Sequence, residues 1–138
     1  MWPVGIPLAT RYNRKIMYKN KADQITEVIN HYFDGVFYGD VEKLKTAFHD
    51  NAFLYGDVKG AEYLKSLDEY LQGVKNRKSP HEQNEKYDMK ILGLEIWGNV
   101  AIAKVNLPML GFNYYDFLSL SLIKGNWKIV NKIFTHVE

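Results

Sequence analysis

The chain has 138 residues, of which 46% are apolar and 25% charged, with a formal net charge of +2, as in a globular protein of one domain. It contains no cysteine, which excludes disulfides, thiolate catalysis and cysteine-based zinc sites. No apolar run is long enough to span a bilayer, and the first residues lack the pattern of a secretory signal. We therefore expect a cytoplasmic protein without membrane contact.

The first 21 residues are basic, with five Lys and Arg side chains and no acid, which leaves the rest of the chain mildly acidic. A basic arm is compatible with contact to nucleic acid or to an acidic partner. Five charges without a folded basic face are a weak footprint, however, so we expect a solvated leader and no nucleic-acid binding. We predict an arm over residues 1–21 and one folded domain over residues 22–138.

Three helices are predicted before the long strands. Residues 23–38 carry one apolar stripe at helical spacing, and Gly39 can end that helix. Asp40 is a suitable cap for a second, short helix. A short strand over residues 51–57 follows, and a capping-box pattern then predicts a third helix over residues 66–77.

From residue 85 the apolar period changes to two, which predicts four long antiparallel strands. The first of them, residues 85–97, changes phase beside Gly93, as a β-bulge would cause. The dipeptide at residues 98–99 predicts a tight hairpin to the second strand. Helices followed by a run of strands indicate an α+β fold, with the helices on one face of a curved sheet.

One carboxyl group is predicted on an apolar face. In the stretch NYYDFLSLSLI, residues 113–123, alternation places Asp116 with Leu118 and Leu120. A carboxyl group in that position loses hydration, so it must find partners or stay neutral. Asn131 has the same position on the last strand, where alternation gives it the face of Trp127, Ile129 and Ile133. These polar residues predict either one polar spot in a mostly apolar pocket or a closed structural network.

Two segments resemble the nuclear transport factor 2-like superfamily. They are YFDGVFYGDVEKLKTAFHDNAFLYG near the N-terminus and YYDFLSLSLIKGNWKIVNKIF near the C-terminus. The chain is most similar to a branch of small bacterial proteins that carry a lumazine-binding label. The resemblance implies a cone-shaped α+β fold, in which three N-terminal helices pack in the concave face of a strongly bent, mainly antiparallel sheet. It also implies an apolar cavity and a homodimer formed through the outer sheet face.

The resemblance extends to ketosteroid isomerase, a member of the same superfamily. Its oxyanion tyrosine precedes the Asp of the Gly-Asp turn by eight residues, which is the spacing of Tyr32 and Asp40 here. Asp116 resembles its partner acid, so a small isomerase, cyclase or dehydratase could use Tyr32 and Asp116 as oxyanion donors. The general base is missing, because its expected position is Gly56, and Asp57 lies one place off. His49 is the other candidate base.

Three functions remain open after the sequence alone. We rank first a domain that binds a small apolar or aromatic molecule, second the enzyme, and third a non-catalytic dimerising module. No cofactor motif is present, and the histidines lack metal-ligand spacing, so we expect neither a cofactor nor a metal. The predicted polar spot is Tyr32 and Asp116, and the predicted ligand contacts are Phe33, Tyr55, Phe112, Tyr114 and Asn131.

Overall fold

The structure is a computed structural model that describes residues 8–138, with side chains from residue 13 onward. The first seven residues of the predicted arm lie outside the described residues. The helices are α1 (Leu8–Tyr38), α2 (Val41–Ala47) and α3 (Leu67–Asn76). The strands are β1 (Phe48–Val58), β2 (Ala61–Ser66), β3 (Lys90–Trp97), β4 (Val100–Met109), β5 (Phe112–Ile123) and β6 (Asn126–Val137). Within residues 8–138, no helix combines the length and apolar character that crossing a membrane requires.

The six strands form one bent sheet in the order β2-β1-β6-β5-β4-β3. Only the pair β1–β6 is parallel, and the other four pairs are antiparallel. Buried side chains from the three helices meet the inward side chains of the strands in one apolar cluster. This arrangement confirms the predicted α+β fold with helices on the concave side of a mainly antiparallel sheet.

Strand β2 is the element that the sequence analysis misses. It pairs with β1 across a tight turn, where Lys59 and Gly60 have φ angles of 53° and 78°. Its six residues are mostly exposed or half-buried, as is common for an edge strand. Because the strand is short and buries no clear apolar face, its sequence carries little periodic signal.

Helix α1 is longer than predicted. The sequence predicts a helix over residues 23–38, whereas the observed helix begins at Leu8. No Gly or Pro occurs between residues 8 and 34, so nothing breaks the helix where its apolar stripe stops. Residues 13–20 are exposed, which is why they show no apolar period. The division into an arm and a domain at residue 22 stays a prediction.

The predicted caps and the first hairpin are confirmed. The Asp40 carboxylate accepts a hydrogen bond from the Lys43 backbone N–H at the start of α2. Ser66 and Glu69 form a complete capping box on α3. Trp97 pairs with Val100 on either side of the two-residue turn. The two caps mark where α2 and α3 begin, and the hairpin sets the pairing of β3 with β4.

Two β-bulges decide which side chains point inward. In β3 the register shifts between Ile91 and Gly93, as predicted. In β6 an unpredicted shift falls beside Val130, because Leu120 pairs with Ile129 while Ser119 pairs with Asn131. Each bulge inserts one residue and reverses the alternation beyond it.

Because of the bulge in β6, the inward face of that strand differs from the predicted one. Trp127 and Ile129 are buried as expected, but beyond the bulge the buried residues are Lys132 and Phe134. Ile133 is 51% exposed. Asn131 is on the same side as Ile133, and its side-chain amide donates to the Phe53 carbonyl oxygen of β1 over 3.0 Å. The sequence pattern therefore gives the wrong inward residue for the second half of β6.

Candidate functional site

The centre of the site is a hydrogen bond between helix α1 and strand β5. The Tyr32 hydroxyl donates to Oδ2 of Asp116 over 2.5 Å, and the two residues are 0% and 2% exposed. Tyr32 lies in the buried stripe of α1, where its ring meets the Phe48 ring edge-on at 5.6 Å between centroids. Asp116 lies on the inward face of β5 with Leu118, as the alternation predicts. The structure thus brings together the phenol and the acid that the sequence singles out.

A buried lysine completes the centre. Lys132 is 5% exposed, and its Nζ atom lies 3.9 Å from Oδ2 of Asp116. The same Nζ atom is 4.8 Å from the ring centroids of Tyr70 and Phe134 and 5.1 Å from that of Tyr32. Aromatic faces attract a cation, so these rings partly replace the water that the ammonium group loses on burial.

The pKa values follow from this burial. Loss of hydration raises the pKa of Asp116 above its usual value, while the Lys132 charge and the Tyr32 hydrogen bond oppose that rise. Burial also raises the pKa of Tyr32 well above 10, and the nearby Asp116 adds to the shift. Tyr32 therefore keeps its proton and uses it to bond Asp116. This phenol is a donor to the acid rather than a free donor for a bound molecule.

A cavity of about 70 Å³ lies against this centre. A single water needs roughly 10–15 Å³ in this measure, so the space exceeds one water molecule. The cavity is more polar than the sequence predicts, because four tyrosines and three charged side chains contribute to its wall. The lining residues are Tyr32, Val58, Tyr63, Tyr70, Arg77, Leu107, Met109, Tyr114, Asp116, Lys132 and Phe134.

Helix α3 contributes two polar side chains to the cavity wall. Tyr70 belongs to the buried stripe of α3 and is 5% exposed. Arg77 is the C-cap residue of the same helix. The Tyr70 hydroxyl and the Nε and Nη2 atoms of Arg77 are buried and have no hydrogen-bond partner among the described residues. Buried polar groups are normally bonded, so these three atoms indicate a place for a polar guest.

The other predicted contact residues are dispersed. Tyr114 lines the cavity, and burial raises the pKa of its hydroxyl. Phe33 is 2% exposed and belongs to the core rather than to the cavity wall. Tyr55 is 46% exposed on the outer sheet face. The Phe112 ring lies outside the cavity wall and is tilted against the Tyr114 ring, with 5.4 Å between the centroids. Asn131 is also absent from the cavity wall, because the bulge in β6 turns it outward.

The candidate general bases lie away from the cavity wall. Asp57 accepts a hydrogen bond from the Gly60 backbone N–H in the β1–β2 turn, over 2.7 Å. His49 accepts through Nδ1 from the Asn51 backbone N–H over 3.1 Å. At Gly56 an added Cβ would stand 2.4 Å from the Phe134 ring, so that ring occupies the space a side chain there would need.

Four of the charged or polar wall residues are not predicted from the sequence, and the reasons differ. Tyr63 lies on β2, the strand that carries little periodic signal. The bulge beside Val130 conceals Lys132, and no turn or glycine signal marks it. Tyr70 lies at helical spacing with the other buried residues of α3, and that spacing does not distinguish a core tyrosine from a cavity tyrosine. Arg77 is the residue at which α3 ends, where a basic side chain is ordinary. Within residues 13–138, no cluster of His, Asp and Glu suited to a metal ion is present.

Comparison with known proteins agrees with this architecture. The sequence model of a family described as "Putative lumazine-binding" matches residues 20–135. No curated protein matches the chain. An NTF2-like protein of unknown function from Shewanella baltica OS155 is 25% identical over 88% of this chain and 97% of its own, with a TM-score of 0.76. Similar values hold for an NTF-2 like protein of unknown function from Silicibacter pomeroyi DSS-3, with 21% identity, 87% and 98% coverage and a TM-score of 0.76. A CaMKII hub from S. rosetta shares the fold at 18% identity, 83% and 95% coverage and a TM-score of 0.62.

Proposed function

The chain belongs to the lumazine-binding family of NTF2-like proteins, and on that premise we propose that it is a small-molecule-binding domain whose ligand enters the cavity beside Tyr32 and Asp116. The observation that carries this proposal is the set of buried donors in the cavity wall that have no partner in the protein. Such groups take a polar partner, either ordered water or a bound molecule, and the cavity has room for one beside them. Polar groups converging on a largely aromatic wall are typical of ligand sites.

The arrangement supports binding rather than proton transfer. An oxyanion site needs a tyrosine proton and an acid proton that are both free for the substrate. Here the Tyr32 proton is already used by Asp116, and Lys132 lies beside the same carboxyl oxygen. No carboxylate or imidazole besides Asp116 lines the cavity. A general base must lie within hydrogen-bond reach of the substrate, and the cavity wall offers none that is independent of this network.

The test is a thermal-shift screen with planar heterocycles. The panel includes lumazine, because the family description names it. A ligand present at 100 times its Kd should raise the free energy of unfolding by about 2.7 kcal/mol. Val58→Phe places a ring in the cavity wall and should abolish the shift. The same change at Val100, which is 54% exposed on the sheet, is the matched control and should leave the shift unchanged. A screen without any stabilising compound would contradict the proposal.

We also propose that the chain forms a homodimer through the outer sheet face. One apolar row crosses four neighbouring strands there, since Leu64 pairs with Tyr55, Tyr55 with Ile133 and Ile133 with Phe117. Each of these side chains is between 46% and 53% exposed. A contiguous apolar patch of this kind is a common sign of a protein interface. A second copy of the chain supplies the same apolar row, as a twofold interface requires.

Light scattering after gel filtration tests the dimer. The wild type should elute with twice the mass of one chain, and Ile133→Lys should give a monomer, because a lysine at the centre of the row would be buried without a partner. Met17→Lys is the control, because Met17 is 57% exposed and lies on α1 rather than on the sheet. A monomeric wild type, or a dimer that survives Ile133→Lys, would refute this interface.

A further inference from the structure

The polar groups of the cavity wall that lack a hydrogen-bond partner in the described part of the chain can all act as donors, and they belong to two residues of helix α3 and its C-cap. Arg77 contributes Nε and Nη2, and Tyr70 contributes its hydroxyl. A guanidinium group has five N–H donors and no acceptor, so it can be satisfied only by an acceptor. A bound molecule that satisfies Arg77 must therefore present hydrogen-bond acceptor atoms to it.

The geometry of the free donors fits the two oxygens of one anionic group, such as a carboxylate. Nε and Nη2 lie on one edge of the guanidinium plane, where their N–H bonds run parallel. Two parallel N–H donors match the two oxygens of a carboxylate in a bidentate bond. The Tyr70 hydroxyl can give a further hydrogen bond to one of those oxygens.

The charges of the cavity wall also favour one more negative group. The wall holds two cations, Arg77 and Lys132, and one acid, Asp116. Asp116 already pairs with Lys132 and accepts from Tyr32. None of the ion pairs found within residues 13–138 includes Arg77. One unmatched positive charge is balanced by a monoanion, whereas a phosphate group would bring nearly two charges at neutral pH.

We propose that the cavity binds a small planar organic monocarboxylate, with the carboxylate on the Nε and Nη2 edge of Arg77 and beside the Tyr70 hydroxyl. This inference rests on the proposed function and names the chemical class of its ligand. The rings of Tyr63, Tyr114 and Phe134 also line the cavity and suit a flat body. The cavity volume of about 70 Å³ restricts the buried part of the ligand to a small group.

Benzoate and benzamide are the matched probes, because they have the same shape and differ in charge. Titrations followed by protein NMR at neutral pH and low salt should give a Kd for benzoate at least tenfold lower than for benzamide. Arg77→Gln should remove that preference, and Arg77→Lys should weaken benzoate binding because it keeps the charge but loses the parallel donors. Tyr70→Phe should weaken benzoate binding severalfold. The amide spectrum of each variant verifies that it is folded.

Lys75→Gln is the control for a general effect of charge. Lys75 lies in the last turn of the same helix and is exposed, so its removal changes the net charge as Arg77→Gln does. The benzoate affinity should be unchanged in this variant. Equal loss in Lys75→Gln and Arg77→Gln would overturn the proposed contact.

Three results would overturn this inference, and the first two leave the proposed function standing. Binding of benzamide as tight as that of benzoate would overturn the carboxylate assignment and leave a neutral ligand site standing. Tighter binding of inorganic phosphate than of benzoate would overturn it in favour of a different anion. If benzoate, benzamide and the heterocycle panel all fail to bind, both the inference and the proposed function are wrong.

Discussion

Gly56 offers the sharpest test of the packing beneath the cavity. An added Cβ would lie 2.4, 2.5 and 2.6 Å from three carbons of the Phe134 ring. Carbon atoms in favourable contact are about 3.5–4.0 Å apart, so the ring or the strand would have to move by about 1 Å. The ring cannot move freely, because it packs against Tyr63 at 5.0 Å and lies 4.8 Å from Nζ of Lys132. We expect Gly56→Ala to lower the free energy of unfolding by about 2–3 kcal/mol.

Urea unfolding measures this cost, and the chain supplies a control for the same substitution. Gly73 lies in α3 with no atom within 4 Å of an added Cβ, so Gly73→Ala should stabilise the protein by about 0.5–1 kcal/mol. Phe134→Leu removes the ring, and in that background Gly56→Ala should cost less than about 1 kcal/mol. A Gly56→Ala variant as stable as the wild type would refute the reasoning. A cost that is unchanged by Phe134→Leu would refute it as well.

Three further outcomes follow from the hydrogen bonds and charges. Tyr32→Phe should lower the free energy of unfolding by about 2 kcal/mol in urea, because it removes a buried hydrogen-bond donor from Asp116. Tyr87→Phe is the control, since the Tyr87 hydroxyl bonds the exposed carboxylate of Asp34. An equal loss of stability in the two variants would contradict this expectation. Ser66→Ala should lower the free energy of unfolding by about 1 kcal/mol, which lowers the urea midpoint without changing the m-value. An unchanged midpoint would show that the capping box does not stabilise α3. Burial raises the pKa of Asp116, so the folded protein holds that proton to a higher pH than the unfolded chain does. The contribution of Asp116 to the free energy of unfolding is therefore fully present below about pH 3.9, the pKa in the unfolded chain, and is lost as the pH rises through the pKa in the folded protein. Between these two pKa values the wild type should lose stability relative to Asp116→Asn. Parallel pH profiles of the two proteins would argue against a raised pKa.

The helices and the long strands are predictable from local signals. The long strands show the period of two, and the helices show an apolar stripe or a capping residue. The stripe of α1, the Asp40 cap and the Ser66–Glu69 box all act within a few residues, so one sequence suffices to find them. The edge strand β2 lacks such a signal. Its pairing with β1 depends on a turn whose positive φ at Lys59 is uncommon for a residue with a side chain.

The site is only half predictable for a related reason. Tyr32 and Asp116 are found because each stands out against an apolar face, and the structure joins them. Lys132 is missed because its direction depends on a bulge that follows from pairing between strands. Arg77 is missed because its importance lies in having no partner, and a sequence does not show which donors stay unbonded.

The extra residue in β6 makes the bulge a determinant of pocket chemistry. It lets Ile129 and Lys132, which are three positions apart, share the inward face. A β6 of the same length that paired without the bulge would turn Asn131 inward and Lys132 outward, and a neutral amide would replace the ammonium group beside Asp116. Deleting Val130 would instead remove the bulge and keep Lys132 inward, so the pairing register as well as the residue types sets the charge of the interior.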